Sequence, residues 1–376
     1  MYKKILLLGF VLIWSNSFWA QDISENEYER SSLHVMMLRH LNSKYLDVVE
    51  TVFKDMPFPE RFNNHNLGVR RIALAGSDGE DQNPNINAFI EQVGLGKKMV
   101  AKWFNRDKAS GSFNMNLIKD RGLYNASVSE TNVARASLRG FRLLEDAGDL
   151  LINNTYLLVN DIKYESQGKL LGGLTSSQTI TGFKVNVISY LYHLNWNDSI
   201  ANVFFSEYYT EDGSKDKEKV KAFDEENRLF TMEYVGKAEV KSGERHFAEA
   251  KNPHLLLKKV CIRALDKNIA QLQSDHPEFR IKAPLISVEP LRAHVGLKED
   301  VTPDSRFEVL ERVIDDEGRL NYKRVGIIKP LSGRPIWDNR YMADDEDADA
   351  KLGFTEFEKV SGSDFFPGML IREIEK

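Results

Sequence analysis

Gly94-Leu95-Gly96-Lys97-Lys98 brings two glycines and two lysines together in the manner of a phosphate-binding loop. Such a loop needs glycine, four residues, then Gly-Lys-Ser/Thr, so that backbone amides and a lysine converge on phosphate oxygens. Glu91 stands at the first glycine position and Lys98 replaces the hydroxyl, so the segment reads as a turn before a strand at Met99–Phe104. The eight histidines, at 34, 40, 65, 193, 246, 254, 276 and 294, form no HExxH or HxH pattern. A zinc site of neighbouring ligands is not expected, and no cofactor is assigned. The acidic run Asp344, Asp345, Glu346, Asp347 and Asp349 offers oxygen ligands, but lacks the glycine and distal bidentate glutamate of a calcium-hand loop. It reads as a solvated loop. Cys261 lies on a helical stripe with Leu257, Leu265 and Leu272, where a thiol packs rather than reacts. Serines such as Ser199 and Ser361 lack the context of an activated nucleophile. The densest group of aromatic and hydrogen-bonding side chains is Trp337, Asp338, Asn339, Arg340 and Tyr341. These five are the candidate interface; a tryptophan-anchored corner of a β domain is the competing reading.

The elements that position these residues are legible from periodicity. Apolar residues from Leu33 to Met56 recur at helical spacing through Met37, Leu41, Tyr45, Val48 and Val52, which predicts one amphipathic helix ended by Met56-Pro57-Phe58-Pro59. Strands are expected over Val69–Ala75, Tyr156–Val159, Gly182–Trp196 and Leu229–Val240, with helices over Thr131–Leu151 and Leu255–Leu272. Asn197 or Asp198 can cap a helix reaching Tyr208. Beyond Pro277 short alternating strands take over, with a hairpin turning at Asp315–Gly318 and strands around Arg334–Tyr341, Phe354–Val360 and Met369–Ile374. The fold class is α+β: an N-terminal helix, an α/β body with a mixed sheet, then a small antiparallel β-barrel-like domain. The expected divisions are 1–20, 21–60, 61–284 and 285–376.

Residues 1–20 have the three parts of a cleavable secretory signal: Lys3 and Lys4, an apolar run from Ile5 to Trp14, and Ala20 before Gln21. Cleavage there removes two lysines and no acids, making the net charge of −5 more negative by two. Mild acidity disfavours nucleic acid and anionic membranes as partners. No later segment is apolar for long enough to span a bilayer. A single cysteine excludes an intramolecular disulfide, which a chain of 376 residues can fold without. A periplasmic address follows as the expectation, with the cell surface or the exterior as the alternative.

The run Ala293-His294-Val295-Gly296-Leu297-Lys298-Glu299-Asp300-Val301, with Asp304 and Phe307-Glu308-Val309, is continued by Val325-Gly326-Ile327-Ile328 and Phe366-Pro367-Gly368-Met369-Leu370-Ile371. It resembles the small β domain that ends periplasmic flagellar-assembly proteins of the motor's outer ring. The preceding α/β body is similar in layout to the curli-secretion and TolB N-terminal type. Through Val100–Arg106 and Asp146–Leu151 the whole chain resembles a group of exported Bacteroidetes proteins without assigned activity. The resemblance implies envelope-assembly scaffolding with envelope proteins as partners, and transfers no catalytic residue. The rival from another class is an exported hydrolase whose site is assembled from dispersed residues.

Overall fold

Leu33 to Leu38 is an apolar run broken only by His34, and every residue in it is buried. The run forms β1 (Ser32–His40), with Leu33, Val35 and Met37 entering one hydrophobic cluster and Met36 and Leu38 another. A strand covered on both faces shows no polar alternation, so its sequence imitates other elements. The helix expected over Leu33–Met56 is thus corrected: its first part is this strand, and among the described residues of that stretch the helix is α1 (Leu46–Asp55). The structure, a computed structural model, describes residues 31–40, 46–74, 81–125, 151–170, 178–245, 253–314, 320–343 and 348–374. The signal segment, most of the Thr131–Leu151 helix, the hairpin turn at Asp315–Gly318 and the acidic residues 344–347 lie outside them.

β1 pairs in parallel with β2 (Asn63–Asn64) and β3 (Arg71–Leu74) along one edge, and with β4 (Thr155–Leu170) along the other. β4 continues antiparallel to β5 (Gln178–Leu194), and β5 to β6 (Met232–Arg245). The mixed sheet therefore runs β2-β1-β4-β5-β6, with β3 also on β1. One face is covered by α2 (Asn83–Val93) and α3 (Leu95–Trp103), whose Ile86, Ile90, Met99 and Trp103 meet Leu157, Tyr190 and Tyr192. The other is covered by α1 and by the long α7 (Pro253–Asp275), through Val52, Phe53, Leu257, Cys261 and Leu272. Between these elements lie α4 (Asn116–Asn125), α5 (Asp198–Val203) and α6 (Lys217–Glu225). Asn197 caps α5 as expected, its side-chain oxygen accepting from the Ile200 amide at 3.1 Å.

α3 replaces the strand expected over Met99–Phe104. Leu95, Met99, Val100 and Trp103 are buried together because they share one helical face, a period that outweighs the local β-like composition. Gly94, at φ +58°, closes α2 and opens α3. The glycine–lysine segment is thus a junction between helices. Lys97 Nζ donates to the carbonyls of Asp224 (3.0 Å) and Glu226 (2.6 Å), satisfying acceptors at the C-terminus of α6.

A buried polar chain fixes α7 against the sheet. Asn268 Nδ2 donates to Ser189 Oγ (2.9 Å) and to the Val187 carbonyl (2.9 Å). Ser189 donates to Asn160 Oδ1 (2.7 Å), and Asn160 Nδ2 donates to the Met36 carbonyl (3.2 Å). Each donor of this polar chain finds an acceptor, and a slip of register would strand one of them in the core.

Cys261 is buried, and that burial pushes its thiol up to about 12. A thiol reagent at neutral pH is expected to label it about a hundredfold more slowly in native protein than in denatured protein. Fast labelling without denaturant would show the thiol to be accessible.

The C-terminal strands are β7 (Ala283–Val288), β8 (Leu291–Ala293), β9 (Phe307–Ile314), β10 (Leu320–Pro330), β11 (Thr355–Gly362) and β12 (Leu370–Glu373). They form a closed, barrel-like ring in the order β10-β11-β8-β7-β12-β9, each neighbour antiparallel. Leu285, Val309, Phe357 and Ile371 fill it. The strand expected over Arg334–Tyr341 does not form. Those residues belong to the irregular connection between β10 and β11, which carries its side chains to partners outside the ring's ladders.

Candidate functional site

Where α7 meets the ring, side chains from distant segments enclose a cleft of about 210 Å3. α7 supplies one wall because Ile262, Leu265, Asp266 and Ile269 fall on one face of the helix. α1 and the proline-rich turn after it supply Phe53, Met56, Pro57, Phe58 and Pro59. Prolines hold that turn extended and end the helix, so apolar groups stand against the cleft instead of continuing the spiral. Asn64 comes from β2, Asn66 and Arg70 from the segment between β2 and β3, and Lys298, Asn339 and Tyr341 from the ring side.

Polar contacts fix the seam on which the cleft opens. Arg61 lies against Glu299, Nε to Oε1 at 3.3 Å, and its Nη2 donates to the His294 carbonyl. Glu299 Oε2 also accepts from the Gly296 amide (2.7 Å) and from Asn339 Nδ2 (2.7 Å). Asn339 Oδ1 accepts from the Lys298 amide at 2.8 Å, and Arg263 Nε donates to the Tyr341 carbonyl at 3.0 Å.

The five residues read as a candidate interface divide here. Trp337 is half-buried; its indole donates to the Ala350 carbonyl (2.9 Å), and its ring approaches His294. Asp338 is buried against Arg340, which donates at 2.8 Å and 2.6 Å and holds that carboxyl below its usual range. Asn339 and Tyr341 line the cleft. The structure thus brings two of the five to the cleft and engages the other three in contacts of the connection itself.

Asp266 is the chemically distinctive group. Its side chain is 12% exposed, and burial, with Glu299 and Glu60 nearby, pushes its carboxyl up to about 6 against the opposing pull of Lys298. Lys298 Nζ stands 3.9 Å from Oδ1, and buried Oδ2 has no hydrogen-bond donor. Arg70 is the second. Its guanidinium lies over the Phe53 ring at 5.2 Å, and its buried Nε has no acceptor.

One wall of the cleft leads to a second polar group centred on Asn66, whose Oδ1 accepts from the Val35 amide (2.8 Å) and from His34 Nδ1 (3.0 Å). Burial lowers His34 to about 4, so it is neutral. His65 is likewise held neutral by burial and by Arg121 and Lys102. Its Nε2 donates to the Met99 carbonyl (3.1 Å), which leaves Nδ1 to accept from Arg121 (3.0 Å). Among the described residues no group of three or more His, Cys, Asp or Glu is placed to hold a metal ion, and no helix is long and apolar enough to cross a membrane.

Periodicity does not single out Asp266, Arg70 or Lys298. The one available signal is an acidic residue inside the apolar face Ile262, Leu265 and Ile269 of α7, a position where a charge is buried. No protein-family model matches the chain, and no curated protein matches it.

Proposed function

We propose that this chain is an exported cell-envelope binding or assembly protein, and that its receiving surface is the cleft between α7 and the ring. The observation that carries the reading is the cleft itself: concave, lined by apolar and polar groups in about equal measure, with Asp266 and Arg70 each keeping a buried polar atom unpartnered. That is the composition of a ligand-receiving site rather than of a packed seam. The signal-like pattern from Lys3 to Ala20 and the resemblance of the C-terminal run to envelope-assembly domains support the address and the class.

A photo-crosslinking amino acid at Tyr341, introduced in the native organism, tests it. A discrete adduct is expected in the periplasmic fraction, on a chain whose N-terminus is Gln21, and not with the same probe at Lys221, on exposed α6. Equal capture at both positions, or an intact Met1 on cytosolic protein, overturns the proposal.

A further inference from the structure

Four charged side chains line the cleft, Glu60, Arg70, Asp266 and Lys298, two of each sign. Two of the four carry a buried polar atom with no hydrogen-bond partner: Asp266 Oδ2 lacks a donor and Arg70 Nε lacks an acceptor. A buried carboxylate oxygen or guanidinium N–H left in this way is costly, and the cost is removed by a ligand group of the opposite kind. Lys298 does not remove it, because it stands 3.9 Å from the other oxygen of Asp266, beyond hydrogen-bond reach. The cleft is also lined by apolar side chains, among them Phe53, Met56, Phe58 and Leu265, beside the neutral polar Asn64, Asn66 and Asn339.

Building on the reading of the cleft as a binding site, we infer that it takes a small zwitterion, an ammonium group and a carboxylate joined by a short aliphatic linker, with the ammonium donating to Asp266 and the carboxylate accepting from Arg70. The apolar walls cover the linker. An isolated ammonium would leave Arg70 unmet, and an isolated carboxylate would leave Asp266 unmet, so neither single charge satisfies the site. Volume sets the size. A dry protein cavity of about 150 Å3 holds benzene, so this cleft holds about eight non-hydrogen atoms. An amino acid with its two charged groups at opposite ends has those dimensions.

Calorimetric titration of the mature full-length chain with glycine, β-alanine, γ-aminobutyrate, δ-aminovalerate and ε-aminocaproate reads the linker length. Saturable binding is expected with an optimum in the series. Pentylamine and valerate, each missing one charge, are expected to bind at least about tenfold more weakly than the best zwitterion, since one charge-assisted hydrogen bond is lost in each. Asp266→Asn should abolish the advantage of δ-aminovalerate over valerate, and Arg70→Gln its advantage over pentylamine. The inference is overturned if no member of the series binds, if the single-charge compounds match the zwitterions, or if both variants keep the wild-type preference. The length series on the unaltered protein decides the matter even if a variant fails to fold. A crosslinked partner at Tyr341 together with no binding in the series would retain the envelope-binding reading and reject the zwitterion.

Discussion

Asp266→Asn is expected to stabilise the protein at pH 7.5, by about 1–3 kcal/mol, and to lose that advantage progressively as the pH falls toward 4. The direction follows from the carboxyl at about 6, above its ordinary 3.8. The folded state therefore holds this proton more tightly than the unfolded chain does. The stability associated with it is fully present below the ordinary value and is lost as the pH rises through about 6. At neutral pH the wild type carries a buried charge, and asparagine keeps the shape while removing it. Each pKa unit is worth about 1.4 kcal/mol, so the upper bound is about 3 kcal/mol, and the loss of Lys298's partner reduces it. Thermal melts of both proteins between pH 4 and pH 7.5, followed by circular dichroism, measure the difference. A variant less stable than the wild type at pH 7.5 would show that the Asp266–Lys298 pair is net favourable and that the carboxyl is not held at a cost. A residue that weakens the fold while lining a cleft fits a site kept for binding, where stability is traded for a group the ligand needs.

The parts of this fold legible in the sequence are those with one unambiguous period. β5 alternates Phe183, Val185 and Val187 with polar Lys184 and Asn186, and α7 keeps its helical stripe over more than four turns. Both appear where that spacing puts them, and apart from the strand expected over Arg334–Tyr341 the short C-terminal strands form an antiparallel ring, as their alternation suggests. β1 is different. As a strand next to the centre of a sheet covered on both faces, it has no polar side, and Met37 followed by Val48 and Val52 supplies a false helical spacing across two elements. The Met99 segment errs in the opposite sense: its local composition suggests a strand, while Leu95, Met99 and Trp103 together mark a helix face. The density of groups at Trp337–Tyr341 is a real signal, but composition does not separate an anchor from a surface. Trp337 anchors through the Ala350 carbonyl, and Asn339 and Tyr341 reach the cleft. The cleft itself is illegible for a simpler reason. Its walls come from segments far apart in the chain, and no local period encodes their meeting.

Trp103→Ala is expected to cost more than about 4 kcal/mol, the largest single-site loss foreseen in the body of the protein. Truncating a buried aromatic costs about 3–5 kcal/mol by loss of transfer energy and creation of a cavity. Trp103 is fully buried in α3, and its indole donates to Thr155 Oγ1 at 2.9 Å, tying the helix to the start of β4. Its ring also serves two polar neighbours. His65 stacks on it at 5.0 Å, and the Arg121 guanidinium lies over it at 4.4 Å. Burial lowers Arg121 to about 10; its acceptors are Ser32 Oγ (2.9 Å), His65 Nδ1 and the Asn64 carbonyl (2.9 Å), none of them anionic. The ring face therefore carries part of what solvates this buried cation, and cation–π contacts of this kind are worth up to about 2 kcal/mol when desolvated. Alanine removes the volume, the hydrogen bond and the π face together. Phenylalanine restores most of the volume and the π face but not the donor, and is expected to cost about 1–2 kcal/mol: the Thr155 hydroxyl still donates to the Leu151 carbonyl but loses the hydrogen bond it accepts, and the ring is smaller. Denaturant unfolding of the two variants, with far-ultraviolet dichroism as the signal, separates these contributions. Should alanine and phenylalanine cost the same, the π face over Arg121 contributes nothing; should alanine cost under about 2 kcal/mol, Trp103 is not the keystone of the contact between α3, α4 and β4.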